Sequence, residues 1–236
     1  MTSPPMMWPL RGVSLQAARS LPVSRSPAVR LQPRGRRMGN VMASKTSSLP
    51  AAFRDAAPSQ LATFGAGCYW GTEKYFKDFG KAHPGGVEDM RVGFMGDASA
   101  QKNPSYRDVC TGQSGHVEVL HLRFDPAKVS YAALVDHFFT FHDPTTLNRQ
   151  GNDAGPQYAS VIFTHTPEQA EVAKARIGAL QKLLDDGTIR PGFLGPRVTT
   201  AVRPAHDFYV AEDYHQKYLE ANPNGYCNHR KRFSWP

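Results

Sequence analysis

The chain has 236 residues, a net charge of +8 and a hydrophobic fraction of 40%, which suffices for one domain of about 180 residues plus an extension. Residues 1–54 contain eight arginines and Lys45 but no carboxylate side chain, whereas the rest of the chain carries 19 basic and 20 acidic side chains. Because that larger part is nearly neutral, the composition excludes an extended nucleic-acid-binding surface. No apolar run is long enough to span a membrane.

The first 55 residues are rich in Arg, Ser and Pro. Residues 10–21 can be wound as a short amphipathic helix, which is typical of a mitochondrial transit peptide, although a disordered basic tail is the alternative. Met38 and Met42 are possible internal starts that would give a cytoplasmic form. We therefore expect a mitochondrial targeting segment over residues 1–55 and a single domain over residues 56–236.

From residue 58 onwards, apolar runs alternate with helical periods. Strands are predicted at residues 61–66, 90–95, 117–124, 159–165 and 198–202. Helices are predicted at residues 73–79, 131–141 and 167–184, the last two with Ser130 and Thr166 as N-caps, and a last helix or helical turn is predicted at residues 209–219. This order predicts an α/β (α+β) fold with a central β-sheet and flanking helices. A loop-rich C-terminal segment follows from Asn222 and carries Cys227, which a mobile loop could bring to a distant partner.

One cysteine lies where a strand gives way to a helix, in Gly-Cys-Tyr-Trp-Gly at residues 67–71. A helix N-terminus stabilises a thiolate, so we expect the pKa of Cys68 to fall from near 8.5 to about 7 or below. A lone cysteine is more often a buried structural residue. Here two glycines allow close approach, and Tyr69 and Trp70 can wall a pocket, which favours a reactive thiol. The three cysteines of the chain are too few and too scattered for a zinc site, so no metal is expected.

Glu118 falls within a strand-like run, where carboxylates are rare unless they are exposed or functional. Burial beside aromatic rings would raise its pKa and keep it protonated, as a general acid requires. The alternative, a carboxylate on the solvent face of the strand, is equally consistent with the sequence. Tyr106 and Tyr158 have hydroxyls that can donate hydrogen bonds, but from the sequence alone such a tyrosine is more often a core aromatic.

Five motifs in order cover about residues 60–227 and resemble those of the A type of peptide methionine sulfoxide reductase. They are Gly-Cys-Tyr-Trp-Gly-Thr-Glu (67–73), Asn-Pro-Ser-Tyr (103–106), Gly-His-Val-Glu (115–118), Gly-Asn-Asp-Ala-Gly-Pro-Gln-Tyr (151–158) and Asn-Pro-Asn-Gly-Tyr-Cys (222–227). The resemblance implies the family's two-layer α/β plait with a mixed central sheet, no metal or organic cofactor, and a monomer. It also implies repair of oxidised proteins under oxidative stress, through reduction of methionine-S-sulfoxide in proteins or free.

The resemblance further implies roles for individual residues. Cys68 would attack the sulfoxide sulfur, with Glu118 as proton donor to the oxygen. Cys227 would then convert the Cys68 sulfenic acid to a disulfide, which thioredoxin reduces. The other implied contacts are hydrogen bonds to the sulfoxide oxygen from Tyr106 and Tyr158, an apolar methyl pocket of Tyr69 and Trp70, and a polar network holding the substrate around Asp153. Cys110 is taken as structural.

Three positions depart from the family pattern. Tyr69 stands where Phe is usual and so adds a hydroxyl that needs a partner, while Pro156 and Ala159 replace a common Thr and Arg. Many relatives also carry two recycling cysteines near the C-terminus. This chain has Cys227 alone, so a disulfide between Cys68 and Cys227 would be the direct target of thioredoxin.

Without the resemblance, the residues are also compatible with two other functions. The first is a Cys–His–Asp acyl-transfer hydrolase, in which His116 or His142 with Asp143 would activate Cys68. The second is a non-enzymatic thiol sensor, in which Cys68 and Cys227 form a switch disulfide and Glu118 has no role.

Overall fold

Eight strands are present in the computed structural model, which describes residues 49–189 and 192–236. They are β1 (Leu61–Ala66), β2 (Val87–Gly96), β3 (His116–Phe124), β4 (Arg149–Gln150), β5 (Asp153–Ala154), β6 (Ser160–Thr164), β7 (Ala201–Pro204) and β8 (Phe208–Val210). Strands β4 and β5 form a small ribbon, and the other six form one sheet in the order β7-β6-β1-β3-β2-β8. All neighbours in this sheet are antiparallel except β6 and β7, so the predicted mixed sheet is confirmed.

The helices pack mainly on one face of the sheet. They are α1 (Ala51–Arg54), α2 (Tyr69–Ala82), α3 (Tyr106–Cys110), α4 (Tyr131–Phe141), α5 (Pro167–Asp185) and α6 (Tyr218–Ala221). Side chains alternate along a strand, so β3 directs Leu120 and Leu122 to the helix-covered core and Val117 and Val119 to a second cluster on the opposite face. Glu118 has the same parity as Leu120. It therefore points towards the helices.

The two predicted helices with polar N-caps are confirmed. Ser130 Oγ accepts the Ala133 N–H at 3.1 Å before α4, and Thr166 Oγ1 accepts the Gln169 N–H at 3.2 Å before α5. These bonds satisfy backbone donors that a helix cannot pair internally. Both helices were correctly predicted because their starts are encoded by neighbouring residues.

Other boundaries were predicted wrongly. The helix expected at residues 73–79 begins at Tyr69, because Cys68 itself is the N-cap residue. A continuous helix over residues 209–219 is absent: the first residues belong to edge strand β8, which pairs with β2 through Gly93 and Val210. The helical turns expected there are a 3-10 turn at Asp213–His215 and the start of α6. The strand expected at residues 198–202 is shifted to β7, where it pairs with β6.

The segment after α6 contains no helix or strand among the described residues, as predicted, but it is anchored rather than free. The Arg230 and Arg232 N–H groups donate to carbonyls at the end of α4, at 3.1 and 2.8 Å. Trp235 Nε1 donates to the Asp136 carbonyl at 2.9 Å, and the Arg176 guanidinium lies 4.2 Å from the Trp235 ring. The predicted mobility of the loop is therefore limited by bonds on the C-terminal side of Cys227.

The predicted targeting segment lies outside the described residues, apart from its last few. Helix α1 buries Phe53, whose ring centroid is 5.0 Å from that of His121. Residues 51–54 thus pack against the sheet rather than belonging to a separate segment. No helix in the described part of the chain is both long and apolar enough to cross a membrane.

Candidate active site

The turn between β1 and α2 places Cys68 at a helix N-terminus, as predicted. Gly67 has a φ of +89°, and a Cβ there would lie 2.4 Å from Gln150 Cβ, so glycine is required on both counts. Cys68 then takes the N-cap position of the 14-residue helix α2. Its side chain is buried, with 8% of the residue exposed.

The expectation of a low pKa for Cys68 is wrong. The Trp70 N–H donates to the sulfur and lowers the pKa, as the helix N-terminus was expected to do. Burial outweighs this contribution and raises the pKa of the thiol well above its usual range, and the charge of Glu118 raises it further. In the protein without substrate, the Cys68 thiol is therefore protonated at neutral pH.

Glu118 lies beneath the start of α2, with only 2% of the residue exposed. Its Oε2 accepts the backbone N–H of Tyr69 at 3.1 Å, and its neighbour across the ladder is Phe94 of β2. Burial raises the pKa of Glu118 to about 8, the Tyr69 N–H opposes this, and the charge of Asp153 adds to it. The carboxyl group is thus mostly protonated at neutral pH, and the solvent-face alternative is excluded.

Aromatic side chains surround this carboxyl group. Tyr69 is 1% exposed, and its ring centroid lies 5.9 Å from Phe94 and 5.3 Å from His215. Trp70 is half-buried and stacks on Tyr218 with centroids 3.7 Å apart. The two residues expected to wall a pocket therefore lie together, with Tyr69 the deeper of the two.

The Tyr69 hydroxyl has no hydrogen-bond partner in the described part of the chain, although it is buried. A buried unpaired hydroxyl costs about 1–3 kcal/mol. We therefore expect Tyr69→Phe to raise the free energy of unfolding by about 1 kcal/mol, measured by urea denaturation, and to keep the reaction at Cys68 intact. Tyr214→Phe, at a residue 65% exposed, is the matched control and should change little. A less stable Tyr69→Phe protein would show that the hydroxyl has a stabilising role.

Tyr106 and Tyr158 both lie close to the buried carboxyl group. Tyr106 begins α3 and Tyr158 ends a turn of 3-10 helix, and both are half-buried. Burial raises the pKa of each phenol, and the charge of Glu118 raises it further, so both hydroxyls are protonated donors. The Tyr106 hydroxyl also bonds with the side chain of Cys110. Cys110 is exposed, and its expected structural role stays a prediction.

Asp153 binds the segment that carries Cys227. Its Oδ1 accepts the Tyr226 hydroxyl at 2.9 Å, and its Oδ2 accepts Asn228 Nδ2 at 2.8 Å. Both neighbours of Cys227 are thereby tied to one carboxylate. Cys227 is exposed, and it lies near enough to Cys68 for its charge to raise the pKa of that thiol. These bonds form a polar network around Asp153 that positions the second cysteine, and the expected contact of Asp153 with the substrate stays a prediction.

The histidines that a hydrolase would need are engaged elsewhere. His142 Nδ1 lies 2.7 Å from the Phe138 carbonyl and its Nε2 2.8 Å from Ser160 Oγ, whereas Asp143 accepts the N–H of Thr145 at 3.0 Å. His116 contacts Ser114 at 3.3 Å. Neither imidazole is bonded to Cys68, so the described residues do not form a Cys–His–Asp triad there. The described residues also include no group of three or more metal-ligating side chains.

Sequence reasoning missed four residues of this region. His215 packs against Tyr69 and Tyr106, with centroid distances of 5.3 and 4.6 Å. Tyr226, Asn228 and His229 surround Cys227. Their nearness to a candidate cysteine was a usable signal, but their contacts depend on the path of the folded chain.

The family model for peptide methionine sulfoxide reductase matches residues 60–234. The chain belongs to this family. A peptide methionine sulfoxide reductase MsrA of Methanothermobacter thermautotrophicus is 49% identical over 168 residues, which cover 71% of this chain and 90% of that protein. The MsrA of Methanoculleus marisnigri is 46% identical over 168 residues, with coverage of 71% and 93%.

Solved structures agree with the fold of the reductase. Mxr1 of Saccharomyces cerevisiae in its reduced form superposes with a TM-score of 0.59 at 35% identity, covering 73% of this chain and 92% of that one. Methionine sulfoxide reductase A of Corynebacterium diphtheriae gives 0.58 at 38% identity, with coverage of 74% and 80%. The predicted family and its α/β fold are confirmed, and the chain is a methionine sulfoxide reductase.

Proposed function

We propose that the reductase acts on the S epimer of methionine sulfoxide, free or in proteins, with Cys68 as nucleophile and Glu118 as proton donor. The observation that carries this proposal is the buried, mostly protonated Glu118 carboxyl group, held by the Tyr69 N–H beside the N-cap cysteine. A sulfoxide oxygen is a poor leaving group until it is protonated. A neutral carboxylic acid in a water-poor site supplies that proton.

The first step balances without an outside proton. Cys68 Sγ forms a bond to the sulfoxide sulfur while Glu118 protonates the oxygen, and the thiol proton of Cys68 passes to the Glu118 carboxylate. The S–O bond of the sulfoxide then breaks, its oxygen bonds to Cys68 Sγ as a hydroxyl group, and the bond between the two sulfurs breaks with its electron pair going to the methionine sulfur. The products are methionine and a sulfenic acid on Cys68, so the sulfoxide is reduced and the thiol is oxidised. The raised pKa of Cys68 fits this exchange, because thiol and carboxyl group each begin with a proton.

The tyrosines and the aromatic wall orient the substrate. Hydrogen bonds from Tyr106 and Tyr158 stabilise charge that develops on the sulfoxide oxygen. Tyr69 and Trp70 offer an apolar surface to the S-methyl group. With the oxygen and the methyl group directed to different sides, only one configuration at sulfur presents its third substituent to the opening.

Cys227 completes the cycle in this proposal. Its thiol attacks the sulfenic acid, water leaves, and a disulfide between Cys68 and Cys227 forms. Thioredoxin then reduces that disulfide, at Cys227 first, because this cysteine is exposed and Cys68 is buried. The proposal includes no metal or organic cofactor and treats the protein as a monomer.

The test is an assay of the full chain on separated sulfoxide epimers, with dithiothreitol as reductant. We expect methionine from the S epimer only, no product with Cys68→Ser, and near-normal rates with the matched variant Cys110→Ser. Equal rates on both epimers would contradict the proposed pocket geometry. Activity that survives Cys68→Ser would contradict the proposed nucleophile.

We also propose that residues 1–54 direct the protein to mitochondria, with a cytoplasmic form starting at Met38 or Met42. The support is compositional: this stretch has eight arginines and no carboxylate. A fusion of residues 1–54 to a fluorescent protein should accumulate in mitochondria. A diffuse cytosolic signal would contradict the proposal.

A further inference from the structure

A buried histidine lies beside the second cysteine. His229 follows Cys227 by two residues, and only 8% of it is exposed. Its Nε2 lies 2.6 Å from the carbonyl oxygen of Ala66, at the end of β1. Because a carbonyl only accepts hydrogen bonds, Nε2 must carry the hydrogen, which leaves Nδ1 with a free lone pair.

That lone pair faces the thiol of Cys227. His229 Nδ1 is 4.0 Å from Cys227 Sγ, within hydrogen-bond range for sulfur. The ring occupies space that Gly71 leaves open, since a Cβ at position 71 would lie 2.0 Å from Nδ1. The second glycine of the Gly-Cys-Tyr-Trp-Gly motif thus makes room for an imidazole next to the exposed thiol. The Ala66 carbonyl fixes the ring's tautomer.

We propose that His229 is a further catalytic residue of the reductase, whose Nδ1 accepts the thiol proton of Cys227 as Cys227 attacks the Cys68 sulfenic acid. This proposal rests on the proposed role of Cys227. The S–S bond forms while the S–O bond of the sulfenic acid breaks, and its electron pair leaves with the oxygen. The departing hydroxide takes the proton from the imidazolium and becomes water. Cys227 sulfur is oxidised, and the sulfenic sulfur of Cys68 is reduced.

The surroundings keep the imidazole neutral until it is needed. Burial lowers the pKa of His229 to about 4, and the nearby charge of Arg232 lowers it further. The other titratable groups around the ring are His142, Tyr75 and Cys227. A charged imidazolium is costly there, so it is a short-lived state that passes its proton to the leaving oxygen. The rival acceptor for the thiol is the carbonyl oxygen of His229 itself, at 3.9 Å.

The experiment separates the two chemical steps in His229→Gln. Glutamine can still donate from its amide to the Ala66 carbonyl, but it offers no basic nitrogen where Nδ1 stood. Full-length protein without reductant is mixed with methionine-S-sulfoxide and quenched at short times. Methionine reports the first step, and peptide mapping of the disulfide reports the second. We expect an unchanged first step and a second step about a hundredfold slower.

A pH series distinguishes a lost base from a displaced cysteine. At high pH hydroxide can take the thiol proton in place of the missing base, so the deficit of His229→Gln should shrink towards pH 9.5. His83→Gln, at an exposed histidine, is the control and should match the wild type. A normal second step in His229→Gln, or a deficit that persists at high pH, would overturn the proposal. A disulfide at Cys68 in Cys227→Ser would instead contradict the proposed role of Cys227.

Discussion

Replacing Glu118 by Gln is expected to slow the formation of methionine in a single turnover by about a hundredfold or more. The amide keeps the volume of the side chain and can still accept the Tyr69 N–H, which donates to Glu118 Oε2 at 3.1 Å. It cannot release a proton to the sulfoxide oxygen. The loss therefore measures proton donation rather than packing, and rapid quenching without reductant records it.

The same variant should also lose a pH dependence. Burial raises the pKa of Glu118 to about 8, and the proposed mechanism requires the protonated form. The wild-type rate of the first step should therefore fall as the pH rises through about 8, and the rate of Glu118→Gln should not show this decrease. Glu73→Gln is the matched control, because Glu73 is also buried but bonds to the Lys217 N–H instead. The rate of Glu73→Gln should still fall as the pH rises through about 8.

A wild-type rate in Glu118→Gln would contradict the proton-donor role. It would be the result expected of a thiol sensor, in which Cys68 and Cys227 form a disulfide and the buried carboxyl group has no task. If Glu118→Gln slowed the first step but its rate still fell as the pH rose through about 8, the titrating group would be a residue other than Glu118.

Replacing Cys227 by Ser is expected to end turnover with thioredoxin while leaving one equivalent of methionine per protein. In the proposed mechanism Cys227 takes no part in the first step, so that step continues in the variant. Without Cys227 no intramolecular disulfide forms, and the sulfenic acid on the buried Cys68 is a poor target for a protein reductant. A thioredoxin-coupled assay and quantification of methionine without reductant measure the two effects.

Cys110→Ser is the control for that experiment, since Cys110 is the other exposed thiol. It should keep turnover with thioredoxin. If Cys227→Ser turned over normally while Cys110→Ser did not, Cys110 would be the resolving cysteine. Normal turnover in both variants would mean that thioredoxin reduces Cys68 directly.

The sequence predicted those elements whose signals are local. Strand β1 is a mostly apolar run. Helices α4 and α5 begin after the N-cap residues Ser130 and Thr166, which are recognisable in the sequence. The region 209–219 failed for the opposite reason. Its first residues form an edge strand because they pair with Gly93 and Phe94 of β2, a pairing that no neighbouring residue encodes.

The candidate site residues could be predicted from the sequence. Of their protonation states, the one of Glu118 was predicted correctly and the one of Cys68 was not. The glycines and aromatic residues around Cys68 indicated a reactive thiol, and the motifs pointed to Glu118. The pKa of Cys68 was predicted in the wrong direction, because the helix N-terminus is a local feature whereas burial and Glu118 come from distant parts of the chain. His229 stands two residues from Cys227 in the sequence, but its proposed role depends on packing against Gly71, which no neighbouring residue encodes.

The central claim is that Cys68 receives the oxidising equivalent of the sulfoxide. The most direct measurement uses Cys227→Ser, in which the intermediate cannot be resolved. After one turnover with methionine-S-sulfoxide, a sulfenic-acid-specific reagent should label Cys68, and Glu118→Gln introduced into the same protein should greatly slow the labelling. Methionine formed without any label on Cys68, or with the label on Cys110 instead, would contradict the proposed role of Cys68 as the nucleophile.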